Sequence, residues 1–424
     1  MSLVPRASAA DTAGALADVL MPLAARGVIV RRPPVMGLLD RMDADRRLVR
    51  RMQRLRERYG PGPLLLRIPG RELALVLSPE HVRRILDESP KPFALATREK
   101  RGALSHFQPH GVLISHGPER EDRRRFNEEV LDYHQDVHRL HDSLATKVAD
   151  EVDGMLTAAR TSGGLSWDEW AVAWWRMVRR VVLGDAARED HALTDMLREL
   201  RGDANWSYLK PKRDRLRKRF FLQLNGHLER AEPGSLAALV AFVPSSAETR
   251  PADQVPQWLF AFDAAGMATY RALALLSADP GAAGRTTDQA FLRAAVLESV
   301  RLWPTTPAIL RDTTEDTEWE SGTLPAGASL AILAPFFHRD DSRLDIADSF
   351  APETWLNGSP ARDWPLVPFS AGPGECAGKN LVLFTASAWL ARTCAAGVPA
   401  LSDRSTLTEP LPRALSPFRL RFAA

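Results

Sequence analysis

The chain has 424 residues, 45% hydrophobic and 26% charged, an ordinary globular composition that excludes a disordered or fibrous protein. Its 56 basic and 53 acidic residues leave a net charge of +3, too little to demand nucleic acid as a partner, and two cysteines cannot build a disulfide framework. The N-terminal apolar stretches are broken by Asp18, Pro22, Arg26 and Arg31-Arg32-Pro33-Pro34, so neither a membrane anchor nor a signal peptide is expected, and the reducing cytosol is the default compartment.

In chain order, the basic stretch Arg46 to Arg58 reads as a helix. The runs Leu64 to Ile68 and Leu73 to Leu77 flank Pro69-Gly70 as the two arms of a β-hairpin. Ser78-Pro79-Glu80 supplies an N-cap, a proline at the first helical position and an acid in the first turn, and Val82, Ile85 and Leu86 follow as an apolar face. Helical patterns are expected near 136–160, 167–183 and 209–230. The segment Trp258 to Ser277 is apolar nearly all round and therefore belongs in the interior. Beyond Pro304 come short β-like pieces such as Ser329 to Ala334, then a helix from about Gly378, then strands around Phe418 to Phe422. No linker, repeat or low-complexity run interrupts this order. The expected architecture is one mainly α domain, an α-rich α+β fold over residues 1–424.

The sharpest chemical signal is Phe369-Ser370-Ala371-Gly372-Pro373-Gly374-Glu375-Cys376-Ala377-Gly378. A cysteine in a Gly/Pro-rich loop that feeds into a helix is placed to be a thiolate, and glycines admit a flat, bulky group such as haem close to the backbone. The alternative is a small buried hydrophobe in a turn. Leu297-Glu298-Ser299-Val300-Arg301-Leu302-Trp303-Pro304 puts Glu298 and Arg301 on one helical face, where they can pair. Within the apolar helix, Ala265-Gly266-Met267-Ala268-Thr269 carries a glycine that costs helix stability and a hydroxyl. Gly266 would then mark a close approach and Thr269 a hydrogen-bond donor to a ligand, unless the glycine serves helix packing and the threonine bonds back to a carbonyl.

Taken in order, these three motifs resemble the cytochrome P450s, the haem-thiolate monooxygenases, over essentially the whole chain. The resemblance implies a P450-type fold with a long interior helix over a haem b and a small β part. It implies an oxidoreductase that activates dioxygen, with Cys376 as axial thiolate and iron ligand, Phe369, Gly372 and Gly378 shaping its loop, and Glu298 with Arg301 as a structural pair. Ala265, Gly266 and Thr269 would flank the oxygen site. Arg120 and Arg124, one turn apart in His116-Gly117-Pro118-Glu119-Arg120-Glu121-Asp122-Arg123-Arg124-Arg125, would bind the haem propionates with Arg311, whereas Arg123 and Arg125 fit a solvated face. The pocket would be framed by the 94–114 loop, Phe262, Ala265 and Thr305 to Leu310, including Ile309 and Leu310, around a small apolar or aromatic substrate. A ferredoxin with its reductase would supply electrons.

Three departures from the family pattern stand out. Gly374 replaces the basic residue usual two before the cysteine. Thr354 stands where an arginine commonly completes the Glu-Arg network, with Arg339 a possible substitute. Ala268 replaces the carboxylate before the oxygen-site threonine, which leaves open an outcome other than hydroxylation: oxidative coupling, desaturation or peroxide-driven oxidation. A non-catalytic P450-like recruitment scaffold is a further alternative. Finally, Lys210, Lys212, Arg213, Arg215, Arg217, Lys218 and Arg219 form the densest basic run, either a solvated helix or a dock for an acidic carrier protein.

Overall fold

The computed structural model describes residues 3–358 and 366–423. The chain divides into two compact units. One comprises residues 1–98, 297–376 and 408–416; the other comprises 99–296, 377–407 and 417–424.

The first unit carries the main sheet. Its strands, within the full chain-order numbering, are β1 (Leu64–Leu65), β2 (Leu73–Leu75), β3 (Phe93–Ala94), β5 (Ala308–Thr313) and β8 (Ser329–Leu333), in spatial order β1-β2-β8-β5-β3. The expected hairpin is present, with Leu64 opposite Leu75. β2 runs parallel to β8, and β5 pairs antiparallel with both β8 and β3. A separate ribbon joins β6 (Thr317–Trp319) to β7 (Gly322–Leu324). Leu75, Leu330, Ile332 and Leu333 are buried to the last few square ångströms in one apolar cluster with helices Ala44–Tyr59 and Pro79–Asp87. The second of these begins as its sequence requires, with Ser78 Oγ accepting from the His81 N–H.

The second unit is almost wholly helical. Its principal helices are Gly117–Val130, His141–Ser162, Trp167–Leu183, His191–Ala204, Asp214–Arg230, Pro251–Ala278 and Lys379–Thr393. β4 (Leu165–Ser166) and β9 (Arg421–Phe422) pair beside them. Two helices start about five residues later than their patterns suggested, at His141 and Asp214. Hydrophobic periodicity marks a face but not where a turn ends. The stretch 94–114 is not only loop: Arg98–Leu104 is a helix and Val112–Ile114 a 3-10 turn.

The 28-residue helix Pro251–Ala278 is, among the described residues, the one segment apolar and long enough to cross a membrane, and 78% of its apolar window is buried inside the protein. It is a core helix, as its all-round apolar sequence predicts. The helix Gln289–Leu302 ends at Leu302, two residues before Pro304.

Candidate functional site

In the first unit, Cys376 follows a 3-10 turn, Gly372–Gly374, and lies two residues before Gly378, the N-cap of the next helix. Its N–H donates to the Phe369 carbonyl at 3.0 Å, which closes the loop. The loop needs its glycines for different reasons. Gly372 has φ 61°, and a Cβ there would run into the backbone carbonyl of Leu86. At Gly374 a Cβ would lie 2.6 Å from Arg311 Nη2 and against the Leu95 side chain. The missing basic residue at 374 thus has a steric cause: the guanidinium of Arg311 already fills that space.

Arg311 is held there by hydrogen bonds from Nε to Ser89 Oγ and from Nη1 to the Leu310 carbonyl, both 2.9 Å. Strand alternation puts Ile309 on the buried face with Arg311 and Leu310 on the opposite, partly exposed one, so these two neighbours do not share a surface. Cys376 is half-buried, whereas Cys394 is sealed in the second unit, where burial pushes its thiol pKa up to about 12. Only the first is accessible to a ligand.

Glu298 and Arg301 are both fully buried and joined by two hydrogen bonds, 2.6 and 2.7 Å. The solvated reading of this pair is therefore excluded. Glu298 also accepts from the Trp355 indole at 2.7 Å and from the Ala351 N–H at 2.9 Å, while Arg301 donates to the carbonyls of His338 and Ser349. Arg339 does not take the third place in this network. It turns to Asp348 at 2.7 Å and to the carbonyls of Leu302, Leu411 and Pro412. The indole of Trp355, next to the departing Thr354, gives Glu298 one neutral hydrogen bond. The residue after an odd position was the signal available in the sequence.

In the second unit, the arginine helix Gly117–Val130 is fastened to the interior helix through Asn127. Its side-chain oxygen accepts from the Trp258 indole at 2.6 Å, and its amide donates to Gln254. Arg120 and Arg124 are partly buried; burial and then the charge of Arg124 lower the pKa of Arg120, as expected where like charges sit close. Arg124 also pairs with Glu128 at 2.5 Å. Arg123, expected on a solvated face, is in fact 3% exposed and donates to Ser115 Oγ and the Glu248 carbonyl. Arg125 is exposed as expected.

On the interior helix the group close to Gly266 is Trp174. A Cβ on Gly266 would sit 2.8 Å from the indole nitrogen, which donates to the Phe262 carbonyl at 2.8 Å. Thr269 is fully buried, and its hydroxyl donates to the Ala265 carbonyl at 2.8 Å. Both packing alternatives raised by the sequence are thus realised. Phe262 and Ala265 are buried on the same helix, and Asp263, a carboxylate six residues before Thr269, is engaged by Arg201 at 2.5 Å.

A cytochrome P450 family model matches residues 286–393, a stretch that contains both the Glu298–Arg301 pair and the Cys376 loop. Over this stretch the chain is similar to the cytochrome P450s. Probable cytochrome P450 4s3 of Drosophila melanogaster is 29% identical over 145 residues, covering 31% of this chain and 29% of that protein. Cytochrome P450 4c21 of Blattella germanica is 33% identical over 98 residues, covering 22% and 19%. The chain therefore aligns with less than a third of the length of either relative. Among solved structures, retinoic-acid-bound cyanobacterial CYP120A1 superposes with a TM-score of 0.68 at 17% identity, covering 88% of this chain and 93% of that one. P450BioI, solved with hexadec-9Z-enoic acid-ligated acyl carrier protein, gives 0.68 at 15% identity, covering 90% and 100%. These likenesses establish the P450 fold.

The prosthetic group of the cytochrome P450s is haem with a cysteine thiolate on the iron, and the residues around Cys376 fit it. A half-buried thiol stands in a glycine turn of the first unit, the environment that suits a thiolate ligand.

Proposed function

We propose that this P450 is a haem-thiolate monooxygenase of a small apolar or aromatic substrate, using dioxygen and electrons from a ferredoxin and its reductase. The observation that carries this reading is the contrast between its two cysteines: Cys376 half-buried in the glycine turn, Cys394 sealed and held as a thiol. Haem b would supply the dioxygen activation. Cys376 would hold its iron, with Phe369, Gly372 and Gly378 shaping the loop, and Arg120, Arg124 and Arg311 would neutralise its propionates. Glu298, Arg301 and Trp355 would hold the fold of the first unit. Ala265, Gly266 and Thr269 would form the oxygen side, and Phe262, Ala265 and Ile309, which shares its strand face with Arg311, would contribute apolar surface to the substrate, whereas Leu310 lies on the opposite face. The test is the reduced, carbon-monoxide difference spectrum. Cys376→Ala should lose the thiolate-type band and Cys394→Ala keep it; a thiolate-type band in Cys376→Ala overturns the proposal.

A second outcome, oxidation without net hydroxylation, is favoured by one observation. Ala268 supplies no carboxylate, the Thr269 hydroxyl is committed to the Ala265 carbonyl, and Asp263 is committed to Arg201. Labelled dioxygen separates the outcomes, since only oxygenation leaves the label in product.

We further place the protein in the cytosol and assign an acidic carrier protein as a candidate bearer of substrate. In the basic run, Lys210, Arg213 and Arg217 are paired with Asp203, Glu199 and Asp214, while Lys212, Arg215, Lys218 and Arg219 are left exposed. P450BioI is a structural neighbour that was solved with such a carrier.

A further inference from the structure

The second unit contains a continuous file of tryptophans and one tyrosine that the proposed function does not use. It begins at Trp174, whose indole lies against Gly266 and donates to the Phe262 carbonyl, on the segment assigned above to the oxygen side. Trp174 meets Trp389 with ring centroids 5.0 Å apart and stacks nearly parallel with Trp170 at 6.2 Å. Trp170 meets Trp389 at 5.3 Å and Tyr270 at 4.8 Å, and Tyr270 meets Trp167 at 5.5 Å. The first four rings are buried to 1% exposure or less, whereas Trp167 is only half-buried. The file therefore runs from the oxygen-side helix to the surface of its unit.

Packing alone does not call for this composition. An aliphatic and phenylalanine core could close the same interior with no N–H to satisfy, and a buried indole N–H without an acceptor costs stability. Yet the Nε1 atoms of Trp170 and Trp389 are buried with no hydrogen-bond partner among the described residues. What indole and phenol share, and phenylalanine lacks, is easy one-electron oxidation. We propose that the file carries oxidising equivalents away from the haem site to the surface when no substrate is present to consume them. This rests on the haem-thiolate reading.

The oxidant is hydrogen peroxide reacting at the haem. One peroxide takes up two electrons and two protons and leaves as two waters. The file delivers the electrons singly: Trp174 is oxidised first, is refilled by Trp170 directly or through Trp389, and the deficit passes by the Tyr270 ring to Trp167. An external one-electron reductant of the ascorbate class then restores Trp167 after each passage.

Proton arrangements fix where the deficit can rest. Among the described residues Trp170 and Trp389 have no acceptor for their N–H, so when oxidised they stay cations and pass the deficit on. The Tyr270 hydroxyl donates to the carbonyls of Leu165 and Leu420, at 3.2 and 3.0 Å, and these are not bases able to take its proton. Burial raises its pKa further. Its ring bridges but does not hold the radical. Trp167 alone reaches solvent, loses its indole proton to water when oxidised and regains it on reduction.

The experiment mixes haem-loaded protein with hydrogen peroxide in the absence of substrate, freezes it within milliseconds and records the electron paramagnetic resonance spectrum. Oxygenated tryptophans are then mapped by peptide mass spectrometry. A neutral tryptophan radical is expected in the wild type, lost in Trp167→Phe and reduced several-fold in Trp170→Phe, since Trp170 is the contact through which Tyr270 is reached. In Trp167→Phe, oxygenation should move inward to Trp170 and Trp389, and haem bleaching should quicken several-fold. Trp167 is half-buried, so its variant keeps the fold even where the Trp170 variant does not. No tryptophan radical in a wild type that shows the thiolate-type carbon-monoxide band, or equal radical yield and bleaching in wild type and Trp167→Phe, overturns the file. Absence of that band in the wild type removes instead the haem-thiolate reading, and the source of the oxidant with it.

Discussion

A lysine or arginine at position 374 would give this protein the family's usual charge beside the cysteine, but the side chain has nowhere to go. Its Cβ would already press on Arg311 Nη2 and Leu95, and Arg311 is tied to Ser89 and its own strand. Gly374→Lys is therefore expected to displace Arg311 and to weaken haem retention. Losing a charge-assisted bond of about 1.5–3 kcal/mol corresponds to roughly a tenfold or greater rise in the haem off-rate, read by transfer to excess apomyoglobin. An unchanged or slower off-rate would mean that Arg311 yields freely. The same reasoning orders the two loop glycines: at 374 the obstacles are side-chain ends, whereas at 372 the obstacle is backbone and φ is positive, so Gly372→Ala is the costlier change.

The packing of two helices decides what Gly266 is for. The Trp167–Leu183 helix inserts the Trp174 indole against the Pro251–Ala278 helix at the one residue without a Cβ. Gly266→Ala should destabilise the protein by about 1–3 kcal/mol through overpacking, and the loss should shrink when Trp174→Phe is added. A double-mutant cycle on urea midpoints tests this; additive losses would show that the two residues do not act on each other. At this scale the sequence was informative wherever a signal is local. Ser78-Pro79-Glu80, the Pro69-Gly70 hairpin and the all-round apolar helix each carry their own instructions, and the order of the three motifs carried the resemblance to the cytochrome P450s. What the sequence did not carry was partnership between distant positions. Nothing near Gly266 points to Trp174, nothing near Gly374 to Arg311, and nothing near Arg123 announces that Ser115 and Glu248 will bury it. Those residues meet only once the helices have packed, and periodicity cannot distinguish a paired interior arginine from a solvated one.

Across the whole molecule, six histidines have their proton affinity lowered. Burial, as the largest cause, lowers the pKa of His81, His106, His110, His116, His138 and His338, the last to about 3 through complete burial and the neighbouring Arg301. Each of these groups has a folded pKa below the unfolded 6.5, so below pH 6.5 the unfolded chain binds more protons than the folded one. Stability is thus fully present above pH 6.5 and falls as pH drops, at up to about 1.4 kcal/mol per pH unit for the fully buried His338 and less for the others, which solvent screens. For His338 the fall continues to about pH 3. Urea midpoints should be level between pH 7 and 8 and decline from 6.5 to 4. His338→Gln retains an acceptor for the Val367 N–H, which now donates to Nε2 at 3.0 Å, and should flatten that decline; an equal slope in the variant would remove His338 from the effect.

The distribution of the two sulfurs has a practical consequence. With Cys394 sealed and its pKa near 12, a mild alkylating reagent applied to the native protein sees one thiol, and that thiol is the one the iron would occupy. The chain thereby carries its own occupancy gauge. Native labelling counts empty molecules, labelling after denaturation counts all of them at two per chain, and the ratio reports haem loading without reference to colour.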